Sequence, residues 1–381
     1  MLHQKENALI LFDGPHLAYS PTTIQLYDEL SKKYQVQIIA QDPGDFVGQK
    51  LINRNVIYHP YNTVNEFKYR KLFSLLKIIN KRCRDFKKNG LGFRDYFFKY
   101  LLIKKTLRKT KFSKVICIDN VNLFYCSLLG VRVDFLSLEL VRDKHLLPLV
   151  NRKIINCVII QSKERLQHIF PNESFKTFFV QNAPTYREIN IPSHRKHLIF
   201  AGSANEGFGF YKCLNYLNKF PEEVMVVKGA LHEIDQKKIR ESYQHLIQEK
   251  RLILNNQYID NEEVVPLIAQ YEIGFCFYDF EFPSIKQNHF NYFTAPSGKL
   301  FKYLAAGVPV VCINISGFKF VADFNCGVLI DELNEEEIRK AILKIRLNYN
   351  RYVENCIRAS QSFSFDKAIQ PYLEFIGFNE K

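Results

Sequence analysis

One unit recurs along this chain of 381 residues: a short aliphatic run, a stop at a turn, then a helical pattern. Leu9-Ile10-Leu11-Phe12 closes at Asp13-Gly14-Pro15, and a helix follows from about Thr22 to Lys33, with Ile24, Tyr27 and Leu30 at three-residue spacing. Strands are read at Val36 to Ala40, Val56 to His59, Val115 to Ile118, Val131 to Leu138 and Ile154 to Gln161, the last followed by a helix from Lys163 to Ile169. Strands alternating with helices predict an α/β fold with a doubly wound parallel sheet.

The pattern pauses near Gln181-Asn182-Ala183-Pro184 and then restarts. His197 to Ala201 ends at Gly202-Ser203, a helix covers about Phe210 to Leu217, and Val224 to Val227 ends at Lys228-Gly229. Further strands are read at Leu252 to Leu254, Ile273 to Tyr278 and Val308 to Ile313, with a helix from Asn261 to Gln270 and a loop from Asp279 to Pro296. Helices close the chain from about Glu335 and Asp366. This predicts a first domain over 1–181 with a basic helical insertion at 66–111, a linker at 182–196, and a second domain over 197–362. A terminal helix occupies 363–381.

No run of about 18 apolar residues predicts a membrane span, and the first residues lack the pattern of a signal peptide. Nine cysteines without C-x-x-C spacing, several inside aliphatic runs, read as reduced buried thiols of a cytoplasmic protein. Cys and His are not clustered, so no metal site is expected.

The net charge of +14 is segmental: residues 68–111 hold 16 Lys or Arg against Asp85 and Asp95, an excess equal to that of the whole chain. Tyr69, Phe73, Phe93, Tyr96, Phe97 and Phe98 lie among these cations. Basic and aromatic residues together on helices fit docking on an anionic membrane surface. A solvated helix pair packed on the first domain accounts for the same residues. No helix-turn-helix, zinc finger or RNA-binding motif accompanies the charge, so no nucleic-acid partner is expected.

The chemistry concentrates in Ala295-Pro296-Ser297-Gly298-Lys299-Leu300-Phe301-Lys302-Tyr303-Leu304-Ala305-Ala306-Gly307-Val308-Pro309-Val310-Val311. Ser297 is a good N-cap, whose hydroxyl can take a first-turn N–H. Gly298 lets a ligand approach the backbone closely. The free N–H groups and helix dipole make an anion site, to which Lys299 adds a full charge. This suits a diphosphate; an ordinary capped helix with a surface lysine satisfies the same local pattern.

The segment resembles the donor-site signature of GT-B glycosyltransferases of the bacterial surface-polysaccharide type. The likeness lies in its proline-serine-x-lysine-leucine-phenylalanine start and its tyrosine-leucine-alanine-alanine-glycine-x-proline-valine end. His197-Leu198-Ile199-Phe200-Ala201-Gly202-Ser203, Tyr271-Glu272-Ile273-Gly274-Phe275 and Ser362-Phe363-Ser364-Phe365-Asp366 are similar to other segments of that group. The resemblance implies two Rossmann-like domains facing a cleft, the terminal helix over 363–381 packing back on the first domain, and transfer of a sugar from a nucleotide-sugar to a lipid-linked or glycan acceptor. The enzyme would be peripheral on the inner face of the membrane and need neither cofactor nor metal. It implies that Ser297, Gly298, Lys299 and Leu300 hold the diphosphate beside Gly202 and Ser203, that Tyr258 lines the base pocket, and that Lys299 stabilises the departing diphosphate.

The sequence also departs from that group, which often carries two glutamates where Thr294 and Lys302 stand here. The second of the pair holds the donor ribose, and a lysine cannot accept from a diol. Either another carboxylate serves, such as Glu281 or Asp279, or the donor differs, or activity is lost. On the acceptor side, Gly14, His16, Asp119 and Glu139 stand near strand C-terminal ends, where open parallel sheets gather ligands. His16 is the candidate base if transfer inverts. Other readings are a GT-B isomerase, a non-catalytic scaffold, and a nucleic-acid-binding protein using the basic segment.

Overall fold

The computed structural model describes residues 5–43, 50–59, 93–140, 144–229, 231–257, 259 and 261–378. The chain divides into two compact units, Met1–Ile160 with Ile169–Phe178, and Gln161–His168 with Phe179–Lys381.

The first unit is built on β1 (Asn7–Leu11), β2 (Gln35–Gln41), β3 (Val56–His59), β4 (Lys114–Ile118), β5 (Val133–Leu136), β6 (Ile155–Ile160) and β7 (Thr177–Phe179). Their order is β3-β2-β1-β4-β5-β6-β7, and neighbours from β3 to β6 pair in parallel. A parallel sheet covered on both faces needs uninterrupted aliphatic runs, and β1 and β4 bury four of their five residues each. Strand order reverses between β1 and β4, the switch point at which such sheets bind ligands.

The second unit carries β8 (Leu198–Ala201), β9 (Met225–Lys228), β10 (Leu252–Asn255), β11 (Ile273–Cys276), β12 (Val310–Ile313) and β13 (Gly327–Ile330), all parallel, in the order β10-β9-β8-β11-β12-β13. Its switch point lies between β8 and β11. At the other end of this sheet, Arg346 makes two-pronged ion pairs with Glu223 and Glu272, which precede β9 and β11. Glu223 is 3% exposed and also receives Arg339, so the buried carboxylate is compensated.

Residues 182–196 contain neither helix nor strand. The terminal helix spans Phe365–Phe375, within the second unit. There the N–H of Phe365 donates to the Pro184 carbonyl at 3.2 Å and Asp366 accepts from Tyr186 N–H at 3.0 Å. The basic helix is described from Phe93 to Lys109; the insertion before it lies outside the described residues.

Three sequence readings need correction. The expected loop from Asp279 to Pro296 contains two short helices, Pro283–Gln287 and His289–Thr294. Pro283 at the first helical turn fixes the helical φ and lacks only an N–H that would go unpaired there. β7 and β13 were not anticipated: Thr177–Phe179 is short, and Gly327 opens β13 because a Cβ there would lie 2.3 Å from the Val310 carbonyl oxygen. The final helical region is three helices, Glu335–Leu347, Tyr349–Phe363 and Phe365–Phe375.

Candidate functional site

In the second unit the switch point gathers the ends of β8, β9 and β11 and the helix Gly298–Ala305. That helix is locked to the sheet by Tyr303, fully buried, whose hydroxyl accepts from Ala201 N–H at 2.7 Å and faces the carbonyls of Ile199 at 3.3 Å and Phe275 at 3.2 Å. One phenol thus ties β8 to β11 where they part.

The helix N-terminus differs from the sequence reading. Ser297 is the N-cap residue in extended backbone, but its side chain makes no capping bond. The N–H groups of Gly298 and Lys299 precede any intrahelical acceptor. Gly298 packs closely on Asn182, since a Cβ there would lie 2.8 Å from the Asn182 side-chain amide. Leu300 is core, and its N–H donates to the Ser297 carbonyl at 3.0 Å. It contributes helix anchoring rather than a free donor.

Lys299 decides the character of the site. Its Nζ is buried without a hydrogen-bond partner, 4.8 Å from the centroid of Phe200 and 5.1 Å from that of Phe208. Burial pushes its pKa below the ordinary lysine range, opposed by the thiols of Cys276, Cys213 and Cys312 facing it. The rings return part of the lost hydration by cation–π attraction. A buried amine with no counter-ion is costly, and an arriving anion would relieve that cost.

Gly202 lies against this lysine: a Cβ on Gly202 would be 3.7 Å from Lys299 Cε and 3.9 Å from Nζ. Gly202 has φ 95° and Gly229 φ 156°, and a Cβ on Gly229 would sit 1.9 Å from the Gly202 carbonyl oxygen. Gly202 N–H donates to the Lys228 carbonyl at 2.8 Å. Ser203 Oγ accepts from the Asn205 side chain at 3.1 Å.

In the first unit, Gly14 turns the chain after β1 with φ 87°, and His16 is exposed. The neighbouring Asp13 is held by Lys99 at 2.5 Å, with side chains 12% and 5% exposed. Asp119 follows β4 in left-handed backbone, φ 60°, and its Oδ1 accepts the N–H groups of Leu138 at 2.8 Å and Glu139 at 3.0 Å. Its pKa is pushed up to about 7, chiefly by burial and further by the charges of Glu139 and Asp13, against the lowering effect of those two N–H donors.

No protein-family model and no curated protein matches the chain. Solved structures do match over nearly its whole length. Sucrose-phosphate synthase from Thermosynechococcus elongatus aligns with a TM-score of 0.69 over 98% of this chain and 100% of that one, at 13% identity. Anabaena HepE, solved with UDP and glucose, gives 0.63 over 98% and 100%, also at 13% identity. A putative UDP-N-acetylglucosamine 2-epimerase from Listeria monocytogenes gives 0.60 over 98% and 96%, at 11% identity. This is the GT-B fold.

Within the GT-B second domain the structure brings together Lys299, Gly202 and the first turn after Ser297, as the sequence reading grouped them. It does not bring Glu281 to them by any hydrogen bond or ion pair: that side chain is 87% exposed and pairs with Lys286 at 3.3 Å. Asp279 accepts from Glu281 N–H at 3.1 Å. Lys302 lies on the same helix, its pKa lowered by burial. Thr294, 2% exposed, donates its hydroxyl to the Phe290 carbonyl at 2.7 Å. Tyr258 lies outside the described residues.

Two functional candidates escaped the sequence reading. Lys228, 8% exposed, donates from Nζ to Asn255 Oδ1 at 2.9 Å and to the Gln257 carbonyl at 2.5 Å, clamping the turn after β10. Its place at a strand end before Gly229 was the available signal. The Asp13–Lys99 pair removes one cation from the stripe assigned to a membrane; a separation of 86 positions left no local signal. Among the described residues, no three His, Cys, Asp or Glu are arranged to hold a metal ion, and no helix is long and apolar enough to cross a membrane.

Proposed function

We propose that this chain is a glycosyltransferase that takes a sugar from a nucleotide-sugar held by the second unit and passes it to an acceptor on the first. The observation that carries the reading is the buried, unpartnered ammonium of Lys299, set beside the Gly202 turn and the helix start at residue 298. In transfer, the bond between the anomeric carbon and the diphosphate oxygen breaks and a bond to an acceptor oxygen forms. Negative charge grows on the leaving diphosphate, where Lys299 and the first-turn N–H groups stabilise it. The acceptor proton leaves to a carboxylate or histidine of the first unit, or to the diphosphate itself. Anabaena HepE with UDP and glucose supports this reading by fold alone.

The test is a thermal-shift panel of UDP, GDP, CMP and ADP sugars, followed by product analysis with and without acceptor glycans. One nucleotide class should stabilise the protein, and Lys299→Ala should abolish most of that gain. Unchanged nucleotide affinity in Lys299→Ala would sink the site. The epimerase among the structural matches supports a second reading, a nucleotide-sugar isomerase. Conversion of the nucleotide-sugar without any acceptor would favour it.

The acceptor we favour is lipid-linked or a surface glycan, reached from an anionic membrane surface. Support comes from the segmental charge of residues 68–111; of the described part, Lys105, Arg108, Lys109 and Lys111 are exposed. Each such cation contributes roughly 1 kcal/mol near an anionic leaflet. Neutralising these four together should weaken pelleting with phosphatidylserine vesicles by at least tenfold at low salt, and unchanged pelleting removes the membrane from the reading.

A further inference from the structure

The second unit has a cavity at the opposite end of its sheet from Lys299. Its volume is about 690 Å³, and its walls are residues 193–196, which lead into β8, Glu272 before β11, and Arg346 and Tyr349. Small-molecule sites span roughly 300–1,000 Å³. β8 is four residues long, so about 13 Å of strand separates this cavity from the Gly202 turn. The charges on the wall are of two kinds. Arg346 is fully engaged, by Glu223 at 2.7 and 2.9 Å and by Glu272 at 2.9 and 2.8 Å. Arg195, half-buried, donates from Nη1 to the carbonyls of Gly307 at 2.7 Å and Ala306 at 3.5 Å, and its guanidinium lies 5.9 Å from the centroid of the Tyr349 ring. Among the described residues no carboxylate pairs with Arg195, and its buried Nε meets no acceptor. Burial accordingly lowers its pKa. Lys196 is exposed, and its side chain, like those of Ser193 and His194, makes no hydrogen bond or ion pair among the described residues.

Two neighbouring cations without a counter-ion match a group that carries two negative charges. A carboxylate brings one charge and two oxygens. A phosphate monoester brings about −1.5 to −2 at neutral pH and three terminal oxygens. The planar fork of an arginine suits phosphate geometry, and a lysine beside it adds a point charge. Ser193 and His194 stand next in the chain as further hydrogen-bonding groups. We propose that this cavity binds a phosphate monoester through Arg195 and Lys196. The inference does not rest on the donor site: the two places lie at opposite ends of β8, so occupation of one leaves the other open.

The test is calorimetric titration near neutral pH with glycerol 3-phosphate, glycerate and glycerol, which compare a phosphate monoester, a carboxylate and an uncharged body of similar size. Glycerol 3-phosphate should bind about tenfold tighter than glycerate, and glycerol should not bind. Lys196→Glu reverses an exposed charge that holds nothing in the fold, and it should weaken the phosphate about tenfold. Arg195→Gln should do the same. Lys212→Glu, the same charge change on an exposed lysine of the helix Phe210–Lys219, should leave the affinity within about twofold, as should Lys299→Ala. No binding of glycerol 3-phosphate, equal binding of glycerate, or an affinity that survives Lys196→Glu overturns the proposal. An affinity lost in Lys299→Ala and kept in Lys196→Glu also overturns it, and places the phosphate at the donor site instead. Phosphatidic acid presents the same ester on a lipid. Pelleting with its vesicles that Lys196→Glu abolishes and Lys212→Glu preserves makes the ester a lipid headgroup; pelleting that neither variant changes makes it a soluble molecule.

Discussion

Gly274 lies against the ring of Tyr303 so closely that a Cβ on the glycine would be 2.8 Å from both Cδ1 and Cε1. The ring is fully buried, and its hydroxyl spans the gap between β8 and β11. The glycine makes room for the phenol that holds the helix Gly298–Ala305 to its sheet. Gly274→Ala should thus overpack the interior and cost about 1–3 kcal/mol. Tyr303→Phe leaves Ala201 N–H unpaired and should cost about 1–3 kcal/mol. Urea unfolding measures both, and wild-type midpoints would contradict the packing.

Lys299 should make nucleotide binding pH-dependent. Its folded pKa is lowered by burial, so the free protein disfavours the charged amine; a bound diphosphate favours it. Affinity should be highest where the free protein's lysine is already protonated and should fall as pH rises through that lowered pKa. The titratable groups facing it are the thiols of Cys213, Cys276 and Cys312, which burial holds in their neutral form. Calorimetric titration with the stabilising nucleotide from pH 7 to pH 10 should show this decline in the native chain and a flatter profile in Lys299→Arg, whose guanidinium stays charged.

Asp119 should make stability, too, decline as pH rises. Its folded pKa of about 7 exceeds that of an unfolded carboxyl, so its contribution is favourable at low pH and lost as pH rises toward 7. Asp119→Asn keeps the acceptor for Leu138 and Glu139 and tolerates left-handed backbone. The variant should be more stable than the native chain at pH 8 by roughly 1–3 kcal/mol and near parity at pH 4. Denaturant midpoints at the two pH values decide it, and a variant weaker at pH 8 would show that the carboxylate is compensated.

Lys228 should separate recognition of the nucleoside from recognition of the phosphates. Its two bonds fix Asn255 and Gln257, and Asn255 in turn accepts from Gly229 N–H at 3.3 Å. Lys228→Met should lower affinity for the bound nucleotide by about tenfold, the worth of one or two hydrogen bonds, and leave pyrophosphate affinity nearly unchanged. Equal losses for both ligands would assign the lysine to general stability.

The doubly wound architecture was legible because parallel strands covered on both faces must be aliphatic, as Leu9 to Phe12 and Val308 to Ile313 are. The pairing of Gly202 with Lys299 was legible only through the resemblance, since 97 residues separate them. What escaped was non-local. Nothing near Ser297 announces that its side chain leaves the cap unmade, nor that Gly298 packs closely on Asn182. The clamp at Lys228 and the bond from Lys99 to Asp13 depend on partners brought in by the fold. His16 was chosen for its chemistry and position after β1, and the buried carboxyl of Asp119 could not be distinguished from a solvated one without knowing what surrounds it.

The abutment of Gly229 on the Gly202 carbonyl has a consequence for anyone wishing to redesign the specificity of this chain. Two adjacent turns there are welded backbone to backbone, and a methyl on Gly229 would collide with an atom that cannot rotate away. That stretch of backbone is fixed. Substitutions meant to alter the chain's ligand preference must therefore spare Gly202 and Gly229 and exchange side chains rather than move the frame.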